Sequence, residues 1–148
     1  MFYFSYAVDS PSHSFGHPKP VFREYFLLAF APFAVFLNQD DHNYVEPDIS
    51  VICDPNRINE KGCNGAPDFI IEIISPGNPA DDYIRKLYYY KNADVREYWI
   101  VDPHRRTVPV NFFEQDILNI QYFFEATIKV NIYDDLYIDF SEIDAMLN

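Results

Sequence analysis

Apolar positions along this chain come in short runs broken by proline, glycine and acidic turns, and the spacing inside each run predicts its element. Residues 1–20 mix proline and glycine with serine and histidine without a sustained period, which predicts a loosely organised lead-in. The run "VFREYFLLAFAPFAVFL" is apolar apart from Arg23 and Glu24. Its first half is compatible with a helix that Pro32 ends, and "FAVFL" reads as a strand before the polar turn "NQDDHNY". "DISVI" and "FIIEII" are β-branched strands joined by a loop holding Pro55, Gly62 and Gly65, hence an antiparallel hairpin. "SPGNPADDYIRKLYYYKNA" predicts a helix: Asn78 can cap it, Pro79 suits its first turn, Asp81 and Asp82 sit at the positive end of its dipole, and Lys91 lies in its last turn.

"VREYWIVDP" then reads as a strand stopped by Pro103, followed by strands around "TVPVNFF", "NIQYFFEA" and "LYIDF" and a short terminal segment. The order β, β, β, α, β, β implies an α/β (α+β) fold with one central mixed sheet, in which a hairpin is followed by a crossover helix that returns a parallel strand. The 148 residues suit a single domain, 1–148, with 1–28 as a shortened lead-in.

Composition narrows this picture. Hydrophobic residues make up 49% of the chain and aromatics 18%, enough for a packed core, and no apolar run reaches the ~18 residues of a membrane span. The first residues show neither a basic leader nor a cleavage site, so the expectation is a soluble protein of the cytoplasm. Cys53 and Cys63 lack C-x-x-C spacing and suit a reducing compartment better than a disulfide framework; a bridge across their hairpin is the less favoured alternative. The formal net charge of −12 repels a phosphate backbone and argues against nonspecific coating of nucleic acid. A focused positive groove, or a metal site that gathers carboxylates, is compatible with that total.

The acids are placed by strand geometry. Antiparallel pairing of the two hairpin strands sets Asp48 opposite the neighbourhood of Glu72 and Ile73, where facing side chains stand about 4.5–5.5 Å apart at Cβ. Asp68 shares a face with Glu72 but lies roughly 13 Å along the strand at ~3.3 Å per residue, too far for a common ion. It reads as a strand-opening residue near solvent. Glu72, between Ile70, Ile71, Ile73 and Ile74, reads as buried. Two such carboxylates repel, and burying them costs several kcal/mol unless a cation compensates. Oxygen donors of this kind suit Mg²⁺ or Mn²⁺. A lysine is the other compensator. On the helix, Tyr83, Lys86, Leu87 and Tyr90 form one stripe and Ile84, Leu87 and Tyr88 a competing one. Only the first would bring Lys86 to the acids; the second leaves it in water, paired at the surface with Asp82.

"VEPDISVICD", "GAPDFIIEIISP" and "DDYIRKLYYYKNADVREYWIVDP" resemble, in order and spacing, the signature blocks of the Uma-two family of restriction-endonuclease-type proteins, within the PD-(D/E)XK nuclease superfamily. The resemblance runs from about residue 29 to the end. It implies a metal-dependent endonuclease acting on phosphodiester bonds in DNA. Its catalytic residues would be Asp48, Glu72 and Lys86, and its Mg²⁺ or Mn²⁺ ligands Asp48, Glu72 and a main-chain carbonyl near Ile73. The superfamily lysine two residues after the acid is replaced here by Ile74, and the family pattern puts Lys86 in its place. Family members usually carry a longer region before the first block, with a helix and a further acid; Glu24 is the only candidate for that acid. The alternative expectation is a catalytically silent nuclease-fold scaffold serving as an interaction or dimerisation module, which the acidic total and short lead-in favour. The aromatic-rich carboxyl-terminal half is compatible with a homodimer.

Other constellations carry less. His13 and His17, with His42 apart from them, read as solvated loop residues rather than a zinc site. No nucleophile elbow, P-loop or dinucleotide fingerprint occurs. Trp99 and the tyrosines of "LYYYKNADVREYW" read as core rather than as a platform for stacking bases.

Overall fold

The chain builds β1 (Phe2–Ala7), β2 (Arg23–Phe30), β3 (Val35–Phe36), β4 (Ile49–Ile52), β5 (Ile58–Asn59), β6 (Gly62–Asn64), β7 (Phe69–Ile73), α1 (Ala80–Asn92), β8 (Glu97–Val101), β9 (Thr107–Phe112), β10 (Ile117–Phe123), β11 (Thr127–Lys129), β12 (Tyr137–Asp139) and α2 (Phe140–Leu147). These come from a computed structural model that describes residues 2–7, 23–38, 42–77 and 80–148. Seven strands form one sheet in the order β1-β2-β4-β7-β8-β9-β10, parallel only between β7 and β8. That pair is joined by α1, as a parallel connection requires. The mixed sheet with its crossover helix is the architecture expected from the sequence.

Two expectations fail. The segment read as compatible with a helix is the strand β2, hydrogen-bonded to β1 on one side and β4 on the other. Its run is continuously apolar because both faces are covered: Leu27 and Ala29 pack in one cluster, Phe26 and Leu28 against another. Such a run looks alike in a buried helix and a buried strand. The lead-in, in turn, is not wholly loose, because Phe2–Ala7 pairs with Arg23–Leu28. Pairing with β2 orders it where its own sequence has no period. Residues 8–22 lie outside the described residues, as do Asn78 and Pro79.

The two faces of the sheet have different cover. Val51, Phe69, Ile71, Trp99, Val101, Val108 and Val110 pack on one side with Phe124 from the turn before β11, Ile128 and Val130 from the β11–β12 hairpin and Phe140 from the start of α2. The opposite side carries Ile70 and Tyr98 against Tyr90 and Leu87 of α1, and Ile52, Leu27 and Ala29 against Val35 and Cys63 of a three-stranded sheet, β3-β6-β5. Trp99, Tyr90 and Tyr98 are wholly buried. Gly62, at φ +141°, lets the small sheet close: a Cβ there would stand 2.1 Å from the carbonyl oxygen of Ala34. Cys53 and Cys63 are free thiols. Among the described residues no helix is long and apolar enough to cross a membrane.

Candidate active site

β4 and β7 pair with Ile49 facing Ile71 and Ser50 facing Ile70. Continued by one residue, this register sets Asp48 across from Glu72, on the face covered by α1. The placement follows from sequence. Each acid sits in or beside a short strand opened by Pro-Asp, and each strand alternates with period two.

Asp48 is half-buried, and its Oδ2 accepts a hydrogen bond of 2.7 Å from the Ile73 amide. The carboxylate therefore extends the β4–β7 ladder past the last paired residue. Glu72 is 4% exposed. Its Oε1 accepts 2.7 Å from the Tyr90 hydroxyl, and its Oε2 stands 3.1 Å from Lys86 Nζ. Burial pushes the Glu72 pKa up; the Tyr90 hydroxyl and the Lys86 ammonium pull it back, and the negative charge of Asp48 pushes it up again. The Lys86 ammonium also lies 5.8 Å from the centre of the Tyr83 ring, and the Tyr83 hydroxyl donates a long hydrogen bond, 3.4 Å, to the Ile73 carbonyl.

The competition between helix stripes is thereby decided. Tyr83 and Tyr90 are buried, whereas Ile84 and Tyr88 are more than half exposed, so the first stripe faces the sheet and carries Lys86 with it. Ile74, in the position of the superfamily lysine, continues the pairing with β8 through its amide to the Val101 carbonyl, 2.8 Å.

Asp68 departs from expectation. It is buried rather than near solvent. Its Oδ2 accepts from the Cys53 amide at 2.8 Å, its Oδ1 stands 3.5 Å from Arg96, and its carbonyl accepts from the amides of Arg96 and Glu97. It ties the end of β4 to the starts of β7 and β8, and it stays apart from the acid pair. The side chains of Glu24, His13 and His17 lie outside the described residues; His42 is exposed.

Sequence reasoning missed two side chains. Tyr90, taken only as part of a stripe, is the second donor to Glu72; its i, i+4 relation to Lys86 was the available signal. Glu97 is fully buried, its oxygens accepting from Trp99 Nε1, Asn131 Nδ2 and the Ile132 amide at 2.7, 2.8 and 3.0 Å. Nothing in "REYW" announces that arrangement, because two of its donors come from residues more than thirty positions away.

The donors present fit a hard divalent cation. Two carboxylates and a main-chain carbonyl are oxygen ligands of the required kind. Ser50, two residues from Asp48 and on the same face of β4, is buried with its hydroxyl unpartnered. Such a deficit costs about 1–3 kcal/mol, and the water carried by an ion is one means of relieving it. Among the described residues no three or more His, Cys, Asp or Glu side chains gather as a metal site. A cation here would rest on two acids, a carbonyl and water.

The sequence profile of the Uma2 family, described as "Putative restriction endonuclease", matches residues 23–141. A solved structure from Anabaena variabilis, described as a "putative nuclease", superposes with a TM-score of 0.64 at 21% identity, covering 83% of this chain and 70% of that one. It supports the fold. Among curated proteins none matches this sequence.

Proposed function

Because this chain belongs to the Uma2 family, we propose that it is a divalent-cation-dependent endonuclease that hydrolyses phosphodiester bonds in DNA at the Asp48–Glu72–Lys86 site. The observation that carries the reading is the Lys86 ammonium, 3.1 Å from a buried Glu72 that faces Asp48 across the β4–β7 pair.

Asp48, Glu72 and the Ile73 carbonyl would hold Mg²⁺ or Mn²⁺, which polarises a phosphate and lowers the pKa of a water. Asp48 holds the Ile73 amide and so fixes the neighbouring carbonyl in place. Lys86, 3.1 Å from Glu72, would orient an attacking water or stabilise charge gathering on the phosphoryl oxygens. Burial of Glu72 itself strengthens its interactions relative to water.

The test is nicking of supercoiled DNA by purified protein with Mg²⁺, with Mn²⁺ and with chelator. Asp48→Ala and Glu72→Ala should lose nicking while circular dichroism stays unchanged, and Lys86→Ala should lose at least ~100-fold. Full cleavage by either acid variant removes the site. The silent-scaffold reading is favoured by the charge of −12. It takes over if the wild type binds no cation at millimolar concentration and cuts no DNA.

Two further parts of the reading concern setting and partner. Free thiols at Cys53 and Cys63 support a reducing, cytoplasmic setting. A second copy of the chain is the proposed partner at β10, the last strand of the sheet. Its seven residues carry no charge and expose Ile117, Leu118, Ile120 and Phe123. An uncharged seam lets two molecules of charge −12 approach with less repulsion than a charged one would.

A further inference from the structure

We propose that Tyr90 is a positioning residue that fixes the Glu72 carboxylate for cation binding, an inference that rests on the reading of Asp48 and Glu72 as the cation site. Tyr90 and Lys86 stand one turn apart on α1, about 6 Å along the axis at 1.5 Å per residue. They divide the carboxylate between them: the neutral hydroxyl donates to Oε1 at 2.7 Å and the ammonium meets Oε2 at 3.1 Å. A glutamate side chain has three torsions, and an unrestrained one would sample several orientations. With both oxygens engaged from one rigid helix, the plane of the carboxylate is set by the seat of α1.

That seat is firm. Tyr90 is fully buried, its ring meets Tyr98 edge-on at 4.9 Å between centroids, and Ala66, Ile70, Val95 and Leu87 pack around the pair. The hydroxyl cannot swing away without moving the ring through packed atoms. A competing account is that any buried tyrosine hydroxyl needs an acceptor and Glu72 merely supplies one. The two accounts differ in what the hydroxyl does for the ion. Groups that orient metal ligands typically govern affinity 10–100-fold, whereas a hydroxyl that is only satisfied affects stability and nothing else.

The experiment is calorimetric titration of the purified full chain with Mg²⁺, and separately with Mn²⁺, for wild type and Tyr90→Phe, alongside thermal unfolding. Tyr90→Phe should bind at least ~10-fold more weakly, with nicking approaching wild-type turnover once Mg²⁺ saturates. 4-Aminophenylalanine at position 90, which keeps a donor, should restore the affinity. If the Phe variant does not fold, 4-fluorophenylalanine at position 90 fills the oxygen's volume without donating, and it should show the same weakening. Unchanged affinity with only a lower melting temperature overturns the positioning role and leaves the cation site standing. Absence of binding by the wild type overturns both.

Discussion

A buried glutamate can be held in two ways, and this protein uses both. Glu97 is satisfied by an indole, an amide side chain and a backbone amide. Glu72 has a hydroxyl and an ammonium, with a second carboxylate facing it across the strands. The consequence is a pH dependence specific to Glu72. Its pKa lies above the ordinary 4.5, first because of burial, so the native state holds this proton more tightly than the unfolded chain does. The stability linked to it is complete below that ordinary value and is lost as pH rises through the higher native one. Glu72→Gln has no such proton. In chelator, the unfolding free energy of wild type minus that of Glu72→Gln should therefore fall between pH 4 and pH 7.5, as read from urea titrations. A rising difference would show that Lys86 and Tyr90 outweigh burial. At this scale the sequence was informative about position and silent about partners. Pro-Asp spacing and strand alternation located Asp48 and Glu72. The solvent-facing reading of Asp68 failed because its hydrogen-bond donors, Cys53 and Arg96, lie fifteen and twenty-eight residues away.

Elements were legible where a local period or a breaker marked them. α1 has both an apolar stripe and polar ends, and β7 and β8 have β-branched runs closed by proline. β2 had a breaker in Pro32 but no period, since a strand covered on both faces loses its alternation. The β11–β12 hairpin was half seen: only "LYIDF" was read as a strand, because Thr127–Lys129 has one buried residue, Ile128, too few for a pattern. β10 was read as a strand, but its place at the end of the sheet could not be read from pattern, since pairing order is a property of the whole sheet. Its exposed aliphatic residues carry the next prediction. Ile120→Lys puts a charge into the middle of the uncharged seam, a substitution that edge strands commonly use to prevent pairing. Light scattering should show a dimer for wild type and a monomer for Ile120→Lys, both folded by circular dichroism. A wild-type monomer at ~100 µM, well above the ~µM Kd of many weak interfaces, would refute the seam.

For the whole molecule, the dominant quantity is a net charge of −12 over 148 residues. Like charges on a compact body repel, and the repulsion is relieved by added salt over a Debye length that shrinks from ~30 Å at 0.01 M to ~3 Å at 1 M. The melting temperature should accordingly rise when NaCl is increased from 10 to 500 mM in chelator. A fall would mean that salt bridges such as Lys91–Asp116 and Arg96–Glu114 outweigh the repulsion. The sheet divides this molecule into a face covered by the β11–β12 hairpin and the start of α2 and a face that carries the acids.

On that second face the amine is borne by a helix instead of by the strand that bears the acid. The distance between acid and amine is therefore adjustable by tertiary packing, independently of strand register. Side chains such as Val95 and Leu87, which pack in the cluster around Tyr90, act as shims under a lever: enlarging or trimming one would slide the amine relative to its target with both acids untouched.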